Sequence, residues 1–556
     1  YKWFVLREPA SGLSPQKEHL QLRAEHWDAV FSGETLTVLQ NEILPDYISN
    51  KQWFTGKDKT LYSTSVTAHT SLPVGQSDVE VLLIEVQFQS GLPEYYQLPV
   101  IFVNKEEGIK LATAHPAAII AQLKMGNEEG FLCDAVYAAS FQHEVLSFIA
   151  NTKRFMASGE IVFISNEEVR RKIKNKQVQI SKVQATSEMH TAIIYNNQFF
   201  LKIYRKVDKG IHPDVELSRF LAASDVHTTK YAGDFEWRIN DGVFVLGMLE
   251  RLEENHGDGH QYMLERIVNF IERILARDKQ TLFAYPKKGS LTEPVGFDDL
   301  ADELKEFIGG SAAELARLAG MRLAQIHKAL ANSLEKDFLP EEFSLHYQRS
   351  LFSSMTSLVR EMGQAIDKKS ENLPDEISED VKKLNSEKEL LLNTFRRIYN
   401  KKFDVQKIRT HGNFGLSHVL LTGKDIVIHD FGGNPLRPYS ERRLKRSPLL
   451  DVAAGIRSFY YVAYEGFLSS SQMQSDEQNS LLHFAGFWAH YMSGFFMRAY
   501  LDEVKDTAFI PKEPADFEVL IQTLLLENAL HWFNYEVAHR PQRAVIPLRI
   551  IQTIVE

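Results

Sequence analysis

Residues 410–433 read THGNFGLSHVLLTGKDIVIHDFGG. Two short apolar runs, Val419–Leu421 and Ile426–Ile428, flank the turn formers Thr422-Gly423-Lys424, a pattern that predicts a β-hairpin. A hairpin folds the chain back on itself, so His411-Gly412-Asn413 ahead of it meets Asp430-Phe431-Gly432 behind it. Phosphoryl transfer asks for that layout: a group serving the attacking hydroxyl stands beside a carboxylate that holds the magnesium of ATP.

Upstream, QFFLKIY predicts a strand carrying Lys202, and HPDVELSRFLAA predicts a helix carrying Glu216, with Pro213 and Asp214 favourable at its start. A strand lysine held by a helix glutamate is how kinases grip the phosphates of a nucleotide. Alone, such a pair reads as two surface residues; the HGN…DFG segment downstream reverses that reading. TAIIYNN and QFFLKIYR, joined across Asn196-Asn197, predict a hairpin. VEVLLIEVQF (79–88) and YYQLPVIFV (95–103) predict strands of a small sheet-containing domain over 40–130, and 134–157 predicts a helix. From residue 260 onward helices dominate. Ala316, Ala319, Leu323, Ile326 and Leu330 share one helical face, and Leu391, Phe395 and Ile398 repeat the pattern. Residues 367–390 are charge-rich and predict an exposed loop or solvated helix. Strands, helix, strands, helices, one β insertion and further helices is the order of a kinase-like fold.

The chain has 556 residues, more than one hydrophobic core usually organises, so two or three units are expected. Lysine and arginine number 63 against 73 aspartate and glutamate, a net charge of −10. That balance argues against a nucleic-acid partner, which needs basic surface to displace counterions. The single cysteine, Cys133, excludes an internal disulfide and a thiolate metal cluster, and fits a reducing, cytoplasmic setting. No apolar run is long enough to cross a bilayer and no signal peptide is visible, so no membrane partner is expected. The first residue is Tyr1 rather than methionine, which fits a fragment or a processed product.

The run DFGGNPLRPYSERRLKRSPLLDVAAGIRSFYYVAY (430–464) closely resembles maltokinases, whose phrase is RPxSERRxKRSPLxDVAGxxRSF. LPDYISNKQWFTGK (44–57) resembles their N-terminal cap signature around RWFGGK, and YYQLPV (95–100) its partner strand. LKIYRKVDKGIHPDVELSRFL (201–221) resembles their lysine strand and following helix; MRLAQIHKALA (321–331) and YEVAHRP…IPLR (535–549) resemble their C-terminal lobe. The resemblance implies an α+β, bilobal kinase-like fold of the aminoglycoside-phosphotransferase and protein-kinase type. Residues 1–25 would end a preceding domain or linker, and 26–133 would form a β-rich N-terminal cap. Residues 134–255 would form an intermediate region and kinase-like N-lobe, and 256–556 a mostly helical C-lobe with the catalytic-loop hairpin. It also implies transfer of the terminal phosphate of ATP, with Mg²⁺, to the anomeric hydroxyl of maltose or a related sugar, on a route from trehalose to α-glucan. Trehalose synthase is the implied partner, fused or associated, and YKWFVLRE (1–8) resembles the last strand of such a synthase.

The departures from the family cluster at its chemistry. Its catalytic loop HGDxHLGQ is HGNFGLSH here, so Asn413 stands at the base position beside His411. An amide cannot accept a proton at neutral pH as a carboxylate does, and losing a positioned base costs about 10²- to 10⁴-fold in rate. His418 replaces the metal-holding glutamine, although magnesium prefers oxygen ligands. DFEGEP becomes DFGGNP, which leaves Asp430 as the metal-side carboxylate. The phosphate-covering SNTS becomes Met189-His190-Thr191-Ala192, which puts His190 and Thr191 with Lys202 and Glu216 at the nucleotide. Tyr460 stands for an aspartate of RSFDYAA, and Asn528 for the lysine of LEKA. Three functions fit: a maltokinase-type sugar kinase with weak activity, a pseudokinase module that binds or regulates trehalose synthase, and a kinase for a different sugar. The clustering of the changes favours the second for mechanism.

Other residues take plainer readings. Trp53 and Phe54 read as core aromatics, Lys57 as a solvated lysine, His327 as a buried hydrogen-bonded histidine and Cys133 as a small buried side chain. Arg442-Arg443-Leu444-Lys445-Arg446 reads as a cluster that salt-bridges within the C-lobe or faces an anionic substrate, and 256–260 (HGDGH) as a loop rather than a metal site.

Overall fold

The computed structural model describes residues 20–57, 59–75, 77–173, 180–184, 190–240, 242–276, 287–435, 437–470 and 481–555. The expected strand over 1–8 and Met189 lie outside the described residues. The chain divides into two compact units, Tyr1–His212 with Tyr231–Leu252, and Pro213–Lys230 with Glu253–Glu556.

The first unit is built on two sheets. The cap sheet has the order β1-β5-β6-β4-β3-β2, with β1 Gln21–Ala24, β2 Leu61–Val74, β3 Ser77–Phe88, β4 Glu94–Asn104, β5 Ile119–Met125 and β6 Glu128–Asp134. The two strands predicted at 79–88 and 95–103 are its antiparallel centre, paired Leu82↔Leu98 and Ile84↔Tyr96. Val79, Leu82, Ile84, Tyr96, Leu98 and Val100 are fully buried there, as a run of β-branched and aromatic residues in a central strand should be. Trp53 and Phe54 are core aromatics, Lys57 is exposed, and Cys133 is buried, with its thiol pushed up to about 12 by desolvation.

The second sheet runs β7-β8-β13-β14-β11-β10-β9, where β7 is Arg154–Ala157, β8 Gly159–Ser165, β9 Ser181–Val183, β10 His190–Tyr195, β11 Phe199–Tyr204, β13 Tyr231–Ile239 and β14 Gly242–Arg251. The predicted hairpin is β10–β11. Asn196 (φ 49°) and Asn197 (φ 52°) both take the left-handed conformation that a tight hairpin turn requires and asparagine tolerates. The helix expected over 134–157 is shorter, α1 Ala139–Ala150. Thr152 turns left-handed at φ 49°, and the chain leaves as strand β7 to pair with β8. The pull of a sheet edge overrides the local helical pattern.

One short strand joins the two sheets. β12, Lys206–Val207, pairs with Tyr96 and Tyr95 of the cap sheet. Beside it the buried amide of Gln97 donates to the carbonyls of Tyr204 and Leu246. A buried carbonyl without a donor would cost about 1–3 kcal/mol, so Gln97 seals this seam.

The second unit is helical around one large core. It comprises α2 Pro213–Leu221, α3 Gly259–Leu275, α4 Gly310–Ala331, α5 Leu345–Lys369, α6 Asp375–Ser386, α7 Lys388–Arg396, α8 Leu449–Leu468, α9 His483–Val504, α10 Pro514–His539 and α11 Val545–Val555, among shorter turns. The predicted stripe of α4 is buried from Ala316 through Leu330. Charge-rich 367–390 is largely helical, and α6 turns Ile377, Val381 and Leu384 inward while its charges stay in solvent. One apolar residue per turn is enough to anchor an otherwise solvated helix. The decisive hairpin forms as read: β15 Val419–Leu421 pairs with β16 Ile426–Ile428, Val419 opposite Ile428.

Candidate functional site

In the second unit the hairpin does bring its two flanks together. His411 donates its Nε2–H to the carbonyl of His429, 3.1 Å away, and its ring lies 4.9 Å from that of Phe431. The Phe431 amide donates to Asp214 at the start of α2 (2.9 Å). Between them Asp430 is held left-handed at φ 66°, a conformation that costs an ordinary residue about 1–3 kcal/mol and recurs at functional sites. His418 Nε2 lies 3.7 Å from Asp430 Oδ2.

The loop carrying Asn413 is held from behind by a residue the sequence reading quoted without giving it a role. Asp451, 1% exposed in the first turn of α8, accepts from the backbone amides of His411 (2.7 Å) and Gly412 (2.8 Å). It also takes the Nε2–H of His327 (3.0 Å), whose Nδ1 meets the Tyr500 hydroxyl (2.9 Å). Its place at the helix start and three donors satisfy the hydrogen-bonding capacity of this buried carboxylate. His327 is therefore buried and hydrogen-bonded as read, and it supports the loop through Asp451. The one signal for Asp451 was an acid at the head of a long apolar helix.

A cavity of about 90 Å³ opens beside the loop. Asn413, Gly433 and Asn434 line it with Arg437, Arg442, Arg446, Arg457, Glu527, Asn528 and His531. Arg442 donates to the carbonyls of Gly432, Pro435 and Arg437, and so ties the segment after Asp430 to the arginine cluster. Arg457 bonds Asn528 (2.9 Å) and lies over the Trp532 ring, 4.3 Å from its centre. Burial lowers the Arg457 guanidinium to about 10, and burial with Arg437 and Arg457 nearby lowers His531 to about 4, so the histidine is neutral. Burial raises the Glu527 carboxyl against the pull of Arg446 and Arg437.

The other predicted residues are anchored in their own units. In the first, Lys202 on β11 lies opposite Met248, two positions from Glu250, so both side chains share a face and pair at 2.5 Å. Thr191 is buried, and its hydroxyl accepts from Arg205 Nε (2.9 Å); His190 starts the same strand, half-buried. In the second, Glu216 on α2 is clamped by Arg409 (2.7 Å) and bidentately by Arg443 (3.0 and 2.7 Å), which holds its carboxyl below the usual range despite burial. The basic cluster is thus largely internal: Arg443 serves Glu216 and Lys445 serves Glu341. Residues 256–260 cap α3 through Asp258, and His260 pairs with Glu465.

A sequence profile described as the maltokinase N-terminal cap domain matches residues 47–137. These residues are similar to a maltokinase N-terminal cap domain. They hold the cap sheet from β2 through β6, together with the Trp53-Phe54 phrase, and so confirm the resemblance drawn from LPDYISNKQWFTGK and YYQLPV. Among solved structures, a glucosamine kinase in complex with glucosamine, ADP and inorganic phosphate is 13% identical. The alignment has a TM-score of 0.56 and covers 92% of this chain and 99% of that one. A second crystal form of glucosamine kinase gives 12% identity and TM-score 0.57, again over 92% of this chain and 99% of that one. At that identity the likeness establishes the fold alone, an α+β kinase-like architecture.

An implied magnesium site would need a set of oxygen ligands. Asp430 is one, but its neighbour is the imidazole of His418, and Gly433 and Asn434 follow it. Among the described residues no group of three or more His, Cys, Asp or Glu side chains is set to hold a metal ion. Asp430 beside the imidazole of His418 is a poor set for Mg²⁺, which prefers oxygen ligands. No helix among the described residues is long and apolar enough to cross a membrane.

Proposed function

We propose that this chain is a maltokinase-like protein of carbohydrate metabolism that keeps the kinase architecture and a nucleotide-contacting lysine, Lys202, while phosphoryl transfer to sugar is weak or lost. The observation that carries the reading is the catalytic loop itself. Asp451 and His327 hold its backbone, yet the side chain at its tip is the amide of Asn413, which cannot take the proton of an attacking hydroxyl. The cap domain and the kinase-like fold support the family side of the proposal; the imidazole at Asp430 supports the loss of transfer. A role beside trehalose synthase, as a binding or regulatory module, follows from the same reading, and loss of transfer favours it over a kinase for a different sugar.

Phosphorus NMR of the purified chain with maltose, ATP and magnesium tests this. The expected result is no maltose 1-phosphate, or a rate far below the roughly 1–100 s⁻¹ of working kinases. A rate within that range would overturn the proposal. The Asn413→Asp variant gives the finer answer: recovery of product would make the amide the whole lesion, and continued silence would place further loss at Asp430 and His418.

A further inference from the structure

The cavity beside the catalytic loop does not suit the neutral disaccharide that the resemblance implies. Its volume, about 90 Å³, lies well below the roughly 300–1,000 Å³ of pockets that enclose a small organic ligand. Its charge is also unusual. Four guanidiniums line it, and the loop residues that face them, Asn413, Gly433 and Asn434, carry no charge.

The carboxylates on the lining are largely spent. Asp451 gives both oxygens to two backbone amides and His327. Glu441 reaches Arg437 only at 3.7 Å, both half-exposed. Glu527 is drawn toward its neutral acid by burial. Arg442 is used by three carbonyls and Arg457 by Asn528, but the Arg446 guanidinium makes no hydrogen bond or ion pair among the described residues. It is half-buried at the cavity wall, and the carboxyl that feels its charge there is that of Glu527, itself raised by burial. Planar guanidiniums converging on a small polar space recognise a tetrahedral oxyanion better than they recognise a sugar hydroxyl.

We infer that this cavity binds a phosphate group, carried on a small phosphate ester such as a sugar phosphate or present as the free ion, with Arg446 as its principal contact. The inference rests on the kinase-like reading of the second unit, since it names what the acceptor side of that site holds. The three uncharged residues matter as much as the arginines. A carboxylate at position 413 or 434 would meet the phosphate with like charge, and neither is present.

Isothermal titration of the full chain, without nucleotide or metal, decides it with three probes: glucose 1-phosphate, inorganic phosphate and maltose. Glucose 1-phosphate binds, maltose gives no heat, and raising the salt weakens binding. Arg446→Gln and Asn434→Glu each lower the affinity at least tenfold; the second removes no contact of Arg446 and keeps the test sound if the first unfolds. Tighter binding of the ester than of the free ion assigns the site to an ester, and the reverse assigns it to phosphate itself; either upholds the site. Failure of both phosphate probes, or binding that neither variant changes, overturns it, as does maltose binding that phosphate does not displace. Turnover of maltose in the phosphorus NMR experiment would defeat the proposed function and leave this titration unaltered, so the two failures are separable.

Discussion

At the residue scale, two acids in the second unit carry more than their neighbours. Asp451 unites three donors in the core, so Asp451→Ala leaves the His411 and Gly412 amides and His327 unpaired. We expect a loss of about 3–5 kcal/mol, the scale for breaking a buried charged network, read as a lowered denaturation midpoint. Glu216→Gln should act in the same way, because it strands Arg409, 2% exposed, beside Arg443. If the role of Glu216 were confined to nucleotide, the variant would lose ligand affinity at unchanged stability. His531 sets a pH dependence. Its folded pKa is lowered to about 4 from an ordinary 6.5, so between those values the unfolded chain holds the extra proton and stability rises with pH. The contribution is complete above about pH 6.5 and up to about 3 kcal/mol is lost by pH 4. Melting curves across that window should show the fall, and His531→Gln should flatten it.

At the element scale, glycine and asparagine have opposite lessons. Gly320 lies in the middle of α4, where helix propensity alone would favour alanine by about 1 kcal/mol. A Cβ there would stand 2.1 Å from the Phe496 carbonyl of α9, so the two helices touch through this glycine. Gly320→Ala is expected to lower the melting temperature rather than raise it, and a rise would mean the helices can separate at no cost. The Asn196-Asn197 turn behaves as its sequence promised. Asn197→Gly should be neutral or stabilising by a few tenths of a kcal/mol, and Asn197→Val should cost about 1–2 kcal/mol, because a β-branched residue resists φ 52°. Both hairpins and the α4 stripe were legible because their signals are local: turn residues and periodicity. The end of α1 at Ala150 was not, because strand pairing with β8 decided it.

At the scale of the molecule, the cap is hydrogen-bonded into the sheet that bears the lysine strand. Asp134 of the cap accepts from the Tyr47 hydroxyl and from Arg205, 0% exposed, which also donates to Thr191 on β10. Asp134→Asn should therefore loosen both ends together, with faster amide exchange at 47–55 and at 190–204 in the same measurement. Exchange confined to the cap would show the two parts are independent.

The sequence by itself determined the class of fold, the cap, the hairpin at 419–428 and the amide Asn413 ahead of that hairpin. Each is written in contiguous residues, as turn chemistry, periodicity or a phrase, and contiguous residues are what a sequence displays. The partners of the charged groups were left to the tertiary structure. Lys202 with Glu250, Glu216 with Arg409 and Arg443, and Asp451 with His327 and the loop amides join residues tens to hundreds of positions apart. Electrostatic partners are chosen by proximity and desolvation in three dimensions, and neither exists until the chain has folded.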